Sequence, residues 1–122
     1  MAYKNFKVEI DSDGIALVTW DIPGKPMNVI DETSGNELAA IVKETTENAA
    51  VKGVVITSAK EAFCAGADLT MLTGMNQAYV EMLKSKGEEA ANKFVFDNVR
   101  ELSQTIRGAS LDCLRQHFPA RC

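Results

Sequence analysis

Residues 63–69, Phe-Cys-Ala-Gly-Ala-Asp-Leu, join a predicted strand to a predicted helix, and the rest of the chain is arranged around them. The strand is the apolar and β-branched run Gly-Val-Val-Ile-Thr at 53–57, which has the pattern of a strand buried on both faces in a parallel sheet. Asp68 can cap the helix that follows. Because small residues surround Gly66, the backbone can turn sharply and present its own N–H groups to a ligand. Such groups at a helix start suit a negatively charged oxygen.

The residues upstream predict a β-hairpin and a loop. Alternating apolar side chains predict strands at about 5–10 and 15–20, and the Asp-Ser-Asp-Gly sequence between them supplies the turn. Pro23, Gly24 and Pro26 then forbid regular structure. The chain therefore enters the next helix through an irregular loop.

This helix has two predicted starting points. Ser34 with Glu37 three residues later has the spacing of a capping box, whereas Asp31 can cap a helix that starts earlier. The residues that share one helical face and would pack on a sheet are Leu38, Ile41, Val42 and Thr45. Strand, helix and buried strand in this order form a right-handed crossover unit, which places residues 63–69 at the carboxyl end of the closing strand.

Two further helices and a different tail complete the chain. The spacing of Tyr79, Met82 and Leu83 predicts a helix that Gly87 interrupts, and a second helix is predicted for roughly 88–107. Residues 108–122 contain no Lys or Glu and hold two of the three cysteines and the only histidine. We expect this tail to be divergent and poorly ordered.

Composition bounds the classes of protein that this chain can belong to. With 122 residues, 46% hydrophobic and 25% charged, it has the make-up of one globular domain with a core. The net charge is −4 and the 13 basic residues are scattered, so we do not expect nucleic acid as a partner. No apolar run is long enough to span a bilayer and no signal peptide is recognisable, which predicts a cytoplasmic protein. The cysteines form neither a CxxC pair nor a Cys/His cluster, so no metal site is predicted.

Two stretches carry a family resemblance. The sequence KEAFCAGADLTML at 60–72, with PGKPMNVI at 23–30, resembles the first part of the crotonase (enoyl-CoA hydratase/isomerase) superfamily. The similarity runs from Phe6 to about Arg107 and is greatest to the hydratase part of multifunctional bacterial fatty-acid oxidation proteins. It implies that residues 1–107 form the N-terminal portion of a crotonase-like domain. The expected fold is incomplete α/β: an N-terminal hairpin, a crossover helix, a buried strand and two helices.

The resemblance also implies a site. The backbone N–H of Ala67 corresponds to one of two oxyanion-hole donors to the thioester carbonyl of an acyl-CoA. The residues implied in substrate binding are Lys25, Met27, Ala65, Gly66, Ala67, Asp68, Leu69 and Thr70. No cofactor is implied, because coenzyme A is part of the substrate. The family's second donor and its catalytic glutamates have no counterpart that we can find in the 122 residues.

Two functions are therefore expected to compete. The first is a truncated fragment of an enoyl-CoA hydratase (a hydro-lyase of fatty-acid β-oxidation) with little activity of its own. The second is a non-enzymatic module that binds acyl-CoA or takes part in assembly. An unpaired outer edge of the third strand would favour self-association or association with a complementary subunit.

Several of these residues also have a simpler, purely structural interpretation. Small residues suit a purely structural strand-to-helix turn. Asp68 is expected to be a helix cap rather than a catalytic acid, and Cys64 a small buried hydrophobe. Lys25 could approach a phosphate of coenzyme A or remain solvated. His117 lies outside the resemblance and is expected to have no catalytic role.

Overall fold

The computed structural model describes residues 2–117, with side chains described for 2–101, 103, 104 and 107. The elements in chain order are β1 (Phe6–Ile10), β2 (Ile15–Trp20), α1 (Glu32–Glu47), β3 (Gly53–Ser58), α2 (Leu69–Lys86) and α3 (Glu88–His117). The predicted α/β class is confirmed, and both hairpin strands lie where the alternation of apolar residues predicted them.

One three-stranded sheet has the order β1-β2-β3. β1 and β2 are antiparallel, and their turn is held by Asp11, whose carboxylate accepts N–H bonds from Asp13 (2.9 Å) and Ile15 (2.8 Å). Gly14 has a φ of +84°, and a Cβ there would lie 2.5 Å from the carbonyl oxygen of Ala50. Glycine is therefore required at this turn. β3 runs parallel to β2, so α1 connects two adjacent parallel strands as predicted.

The core lies between the sheet and α1. Its buried members are Phe6, Val18, Trp20, Ile22 and Ile41, with Leu38 packed against them. The rings of Phe6 and Trp20 stack with their centroids 5.3 Å apart. The predicted apolar face of α1 is therefore confirmed. This packing fixes the carboxyl end of β2, from which the loop toward the candidate site departs.

The first turn of α1 resolves its two predicted starting points in favour of Asp31. The helix begins at Glu32, and the carboxylate of Asp31 accepts the Ser34 N–H at 2.7 Å. Glu37 does not complete a capping box. Its carboxylate accepts the backbone N–H groups of Lys4 (2.7 Å) and Asn5 (2.9 Å), so α1 holds the segment that leads into β1.

The prediction that β3 is buried on both faces is wrong. Val54, Val55 and Ile56 are 38%, 50% and 41% exposed. The physical reason is position. β3 is at the edge of the described sheet, and α1 packs nearer β1. α2 packs mainly on α3, and α3 packs on α1. An apolar strand is buried only where another layer covers it, and within the described residues no such layer lies over β3.

The two C-terminal helices meet at Gly87, as predicted. This residue has a φ of +90° and donates its N–H to the carbonyl of Leu83 at 3.2 Å. α3 begins at Glu88 as predicted but continues to His117, past its predicted end near residue 107. The expected divergence and poor order of residues 108–122 stay predictions, and 118–122 lie outside the described residues. None of the helices in the described part of the chain is long and apolar enough to cross a membrane.

Candidate functional site

The loop before α1 and the turn before α2 lie side by side. Ile30 and Ala67 form an isolated parallel bridge, in which the Ile30 N–H donates to the Gly66 carbonyl and the Asp68 N–H donates to the Ile30 carbonyl, both at 2.8 Å. One residue pair earlier, the Ala65 N–H donates to the Asn28 carbonyl at 2.8 Å. The structure thus brings together the two stretches that the sequence singled out.

In this pairing the Ala67 N–H has no hydrogen-bond acceptor among the described residues. Because Ile30 bonds to the residues on either side of Ala67, the peptide groups of Ala67 itself point to the opposite side. Among the described residues, no acceptor bonds to this N–H, and Ala67 is exposed. The next free donor is the N–H of Leu69, the first residue of α2. Two backbone donors at a helix start therefore face solvent.

The turn is shaped by Gly66 and Cys64. Gly66 has a φ of +109°, a conformation that residues with a side chain rarely adopt. Its N–H donates to the sulfur of Cys64 at 3.3 Å. Cys64 is half-buried against the core, so the expectation of a small buried hydrophobe is only partly right. Its second role as an acceptor depends on the turn geometry, which residue type alone does not reveal.

Asn28 connects the site to the core, and sequence reasoning did not assign it a role. It is completely buried. Its Oδ1 accepts the Ile22 N–H at 3.1 Å, and its Nδ2 donates to the Trp20 carbonyl (3.0 Å), the Ser58 hydroxyl (3.0 Å) and the Phe63 carbonyl (3.3 Å). The available signal was a lone polar residue between apolar neighbours at 27–30, since a polar group in such a place is buried only when it is hydrogen-bonded.

Asp68 is confirmed as the cap of α2. Its Oδ1 accepts the Met71 N–H at 3.0 Å, and its Oδ2 lies 3.2 Å from the Nζ of Lys25. The bond from Met71, and then the charge of Lys25, lower the pKa of the Asp68 carboxyl. The carboxylate is therefore ionised at neutral pH and is engaged as an acceptor.

Lys25 is in an ion pair in this structure, and its predicted approach to a phosphate of coenzyme A stays a prediction. Its ammonium group pairs with Asp68, and 42% of its side chain remains exposed. The same charge acts on Asp31: burial opposes ionisation there, but hydrogen bonds from Ser34 and the positive charge of Lys25 outweigh it and lower the pKa. Lys25 thus lies at the junction where the capped N-termini of α1 and α2 meet.

The other predicted site residues surround the turn without enclosing it. Met27 is 47% and Leu69 is 78% exposed, and Ala65 and Thr70 are also exposed. Two open cavities of about 520 and 500 Å³ lie elsewhere, one between β1 and α1 and the other between α2 and α3. The candidate site is therefore an open strip of surface with ordered backbone donors.

Comparisons with known proteins converge on one family. The sequence model described as Enoyl-CoA hydratase/isomerase matches residues 11–105. The fatty acid oxidation complex subunit alpha of Idiomarina loihiensis is 33% identical over 108 residues, which cover 87% of this chain and 14% of that protein. This chain thus spans about a seventh of the length of that curated relative.

Solved structures agree on the fold. A putative enoyl-CoA hydratase/isomerase from Mycobacterium abscessus superposes with a TM-score of 0.59 and 26% identity, over 85% of this chain and 35% of the other. A beta-diketone hydrolase from the cyanobacterium Anabaena superposes with a TM-score of 0.65 and 17% identity, over 91% and 38%. At that low identity the second likeness concerns the fold alone.

Proposed function

Because the chain belongs to the enoyl-CoA hydratase/isomerase family, we propose that it binds an acyl-CoA thioester at the turn before α2. The Ala67 N–H donates to the thioester carbonyl oxygen, as one half of an oxyanion hole. The chain is part of an enoyl-CoA hydratase-type protein of fatty-acid β-oxidation and works in the cytoplasm.

The observation that carries this proposal is the exposed, unpaired N–H of Ala67. Its neighbours on both sides are bonded to Ile30, so its direction is fixed before any ligand arrives. A donor that is already oriented costs no reorganisation when charge develops on an oxygen in front of it. The adjacent start of α2 adds the positive end of a helix dipole.

Two segments of the chain contact two different parts of the ligand. The thioester lies along Ala65–Thr70, and the nucleotide end of coenzyme A lies toward Lys25 and Met27. Lys25 must exchange its contact with Asp68 for a phosphate, which is feasible because exposed ion pairs are weak, about 0–1 kcal/mol. No further cofactor takes part, since coenzyme A arrives with the substrate.

Binding without appreciable turnover is the expected behaviour of the chain on its own. In the reaction that the family resemblance implies, water adds across the double bond of a 2-enoyl-CoA with general acid–base help. The carboxylates of Asp31 and Asp68 are both held as ionised helix caps with lowered pKa values, so neither is suited to take a proton from water. Missing acid–base residues reduce rates by about 10²–10⁴-fold, and one missing oxyanion donor costs roughly 3–4 kcal/mol.

Crotonyl-CoA titration followed by amide NMR tests the binding site, and a hydration assay on the same sample tests turnover. We expect the Ala67 and Leu69 resonances to shift and the double-bond absorbance to persist. Ala67→Pro removes the donor and should weaken thioester binding, whereas Ala67→Gly keeps the N–H and serves as the matched control. The proposal fails if the Ala67 and Leu69 resonances remain still while other regions respond. Turnover would instead favour the enzyme over the binding module.

A further inference from the structure

Lys25 is placed by the fold beside the turn before α2. Its backbone N–H donates to the Ile22 carbonyl at 3.4 Å, which closes a tight turn at the start of the loop. Further along the same loop, the backbones of Asn28 and Ile30 are hydrogen-bonded to residues 65–68. Lys25 therefore projects from a backbone that is anchored to the segment containing the candidate site.

The side chain of Lys25 ends next to the proposed position of the thioester. Its Nζ lies 3.2 Å from the Oδ2 of Asp68. Asp68 follows Ala67 directly, and the Cα atoms of consecutive residues are only about 3.8 Å apart. The nitrogen is thus close to the N–H that is proposed to hold the thioester oxygen. Contact with a phosphate of coenzyme A requires Lys25 to leave this position, so its two contacts alternate.

We propose that Lys25 is a site of covalent acylation, and that its acyl group comes from the acyl-CoA thioester held at Ala67. This inference rests on the function proposed above and adds to it a covalent step that hydration does not include. A lysine amine that has lost its proton is a nucleophile for carbonyl carbon. An oriented N–H stabilises the oxyanion that forms when a nucleophile adds to a thioester. The two groups that acyl transfer needs therefore lie side by side.

The step balances without a further reactant. The ammonium group of Lys25 leaves Asp68 and loses a proton to water, which frees the lone pair on Nζ. This lone pair attacks the thioester carbonyl carbon, and the Ala67 N–H donates to the oxyanion. When the carbonyl re-forms, the carbon–sulfur bond breaks and coenzyme A leaves as a thiolate, which takes up the next proton released by the nitrogen. The products are an amide on Lys25, free coenzyme A and one proton in solution, and nothing is oxidised or reduced.

Asp68 restrains this step by holding the nitrogen in its unreactive form. While the carboxylate pairs with the ammonium group, Nζ is a hydrogen-bond donor and has no lone pair to offer. The bond from the Met71 N–H lowers the pKa of the Asp68 carboxyl, which makes it a weak proton acceptor. Asp68 is therefore a restraint on Lys25 and not its base, and removing its charge should speed acylation.

Two other lysines separate proximity from simple exposure. Lys60 is close to the turn in sequence, but only 14% of its side chain is exposed, and it pairs with Asp21 at 2.9 Å. Lys93 pairs with Asp97 and is 73% exposed, compared with 42% for Lys25. Lys93 lies inside α3, where the neighbouring N–H groups are bonded within the helix. If exposure governed acylation, Lys93 would react faster; if the donor at the turn governs it, Lys25 would.

Site-resolved mass spectrometry of the full chain after incubation with acetyl-CoA tests the inference. A saturated acyl group offers the amine only its carbonyl carbon. We expect Lys25 to be acetylated roughly tenfold or more faster than Lys93, because proximity and an oxyanion donor act together only at Lys25. Ala67→Pro should lower the rate at Lys25 toward that at Lys93, Ala67→Gly should keep it, and Asp68→Asn should raise it. Equal rates at the two lysines of the wild-type chain, or a folded Ala67→Pro chain with an unchanged rate at Lys25, would overturn the inference.

Amide NMR of the same mixture separates this inference from the function on which it rests. If the Ala67 resonance shifts with acetyl-CoA but Lys25 is not acetylated in preference to Lys93, binding at the turn stands and acylation is wrong. If the Ala67 resonance remains still and Lys25 shows no preference, the proposed binding site fails and the acylation site fails with it. A shift at Ala67 together with preferential acetylation of Lys25 supports both.

Discussion

Asn28 illustrates how one buried side chain can hold a site that it does not itself form. Its amide reaches three acceptors with only two hydrogens, so at least one of the bonds is shared. Through these contacts it joins the end of β2 to Ser58 at the end of β3 and to Phe63 at the start of the turn. Its backbone carbonyl accepts the Ala65 N–H. The position of Ala67 therefore depends on Asn28 through both main chain and side chain.

Replacing Asn28 with alanine should destabilise the fold and loosen the turn. The variant leaves the buried Ile22 N–H and the partly buried Phe63 carbonyl without this partner. Each unsatisfied buried group costs about 1–3 kcal/mol, so we expect the free energy of unfolding to fall by roughly 2–4 kcal/mol. Urea denaturation measures the loss, and amide NMR should report shifts at residues 65–67.

Ser58→Ala is the control for this prediction. It removes one partner of Asn28 and leaves the other three. It also removes the contacts of the Ser58 hydroxyl with Lys60 and Ala62, which are exposed or only partly buried, so its effect should still be smaller, about 0.5–1.5 kcal/mol. If the two variants lose equal stability, Asn28 does not act as the junction.

The sequence predicted the turn at Gly66 and the cap at Asp68 more readily than the contacts of Asn28, for a physical reason. A turn of small residues followed by a cap is a local pattern, and its geometry is dictated by neighbours in sequence. The contacts of Asn28 join positions up to 35 residues apart, and such partners are known only after the chain has folded.

At the scale of the elements, the helix caps could be recognised in the sequence, whereas the exposure of β3 could not. Asp31 and Asp68 each accept the N–H three residues later, which is a short-range contact. β3 has an equally clear strand pattern, yet its burial depends on a layer that must come from elsewhere. The apolar run identified the strand correctly and its environment wrongly.

The cap of α2 should respond to pH in a defined direction. The folded-state pKa of Asp68 is lowered below 3.8, so its ionised form contributes stability that is present above the unfolded pKa and lost as pH falls through the folded value. Asp68→Ala should lower the melting temperature at pH 7, and the difference from wild type should shrink in strong acid. Thermal melts between neutral pH and strong acid measure this.

Asp68→Asn separates the cap from the charge. Asparagine caps a helix about as well as aspartate but cannot pair with Lys25 or titrate. We expect it to retain most of the stability at pH 7 and to lose the acid dependence. A loss equal to that of Asp68→Ala would mean that the ion pair with Lys25, and not the cap, is what stabilises this junction.

The described chain contains a well-packed core, formed by β1, β2 and α1, and a helix, α2, that has few contacts with it. The core cluster lies in β1, β2, the loop that follows β2, and α1, where Phe6, Val18 and Ile41 meet. Outside it, Val51 before β3 and Ala91 in α3 are also buried. α2 contains no buried residue and contacts mainly α3. The helical spacing of its apolar residues predicted the helix correctly. It could not predict what the helix packs against, because Leu69, Leu72 and Leu83 are all exposed.

Hydrogen exchange should reveal this division directly. Amides open locally with a free energy that reflects the buried contacts of their element, so those of α2 should exchange much faster than those of β2 and α1. Native-state exchange followed by mass spectrometry resolves the three elements in one experiment. Adding crotonyl-CoA should slow exchange at the first turn of α2, next to Ala67, and leave its last turn near Lys86 unchanged. If α2 in the free chain were as protected as β2, then contacts beyond those among the described residues would have to cover it, and the exposed surface of this helix would be an interface.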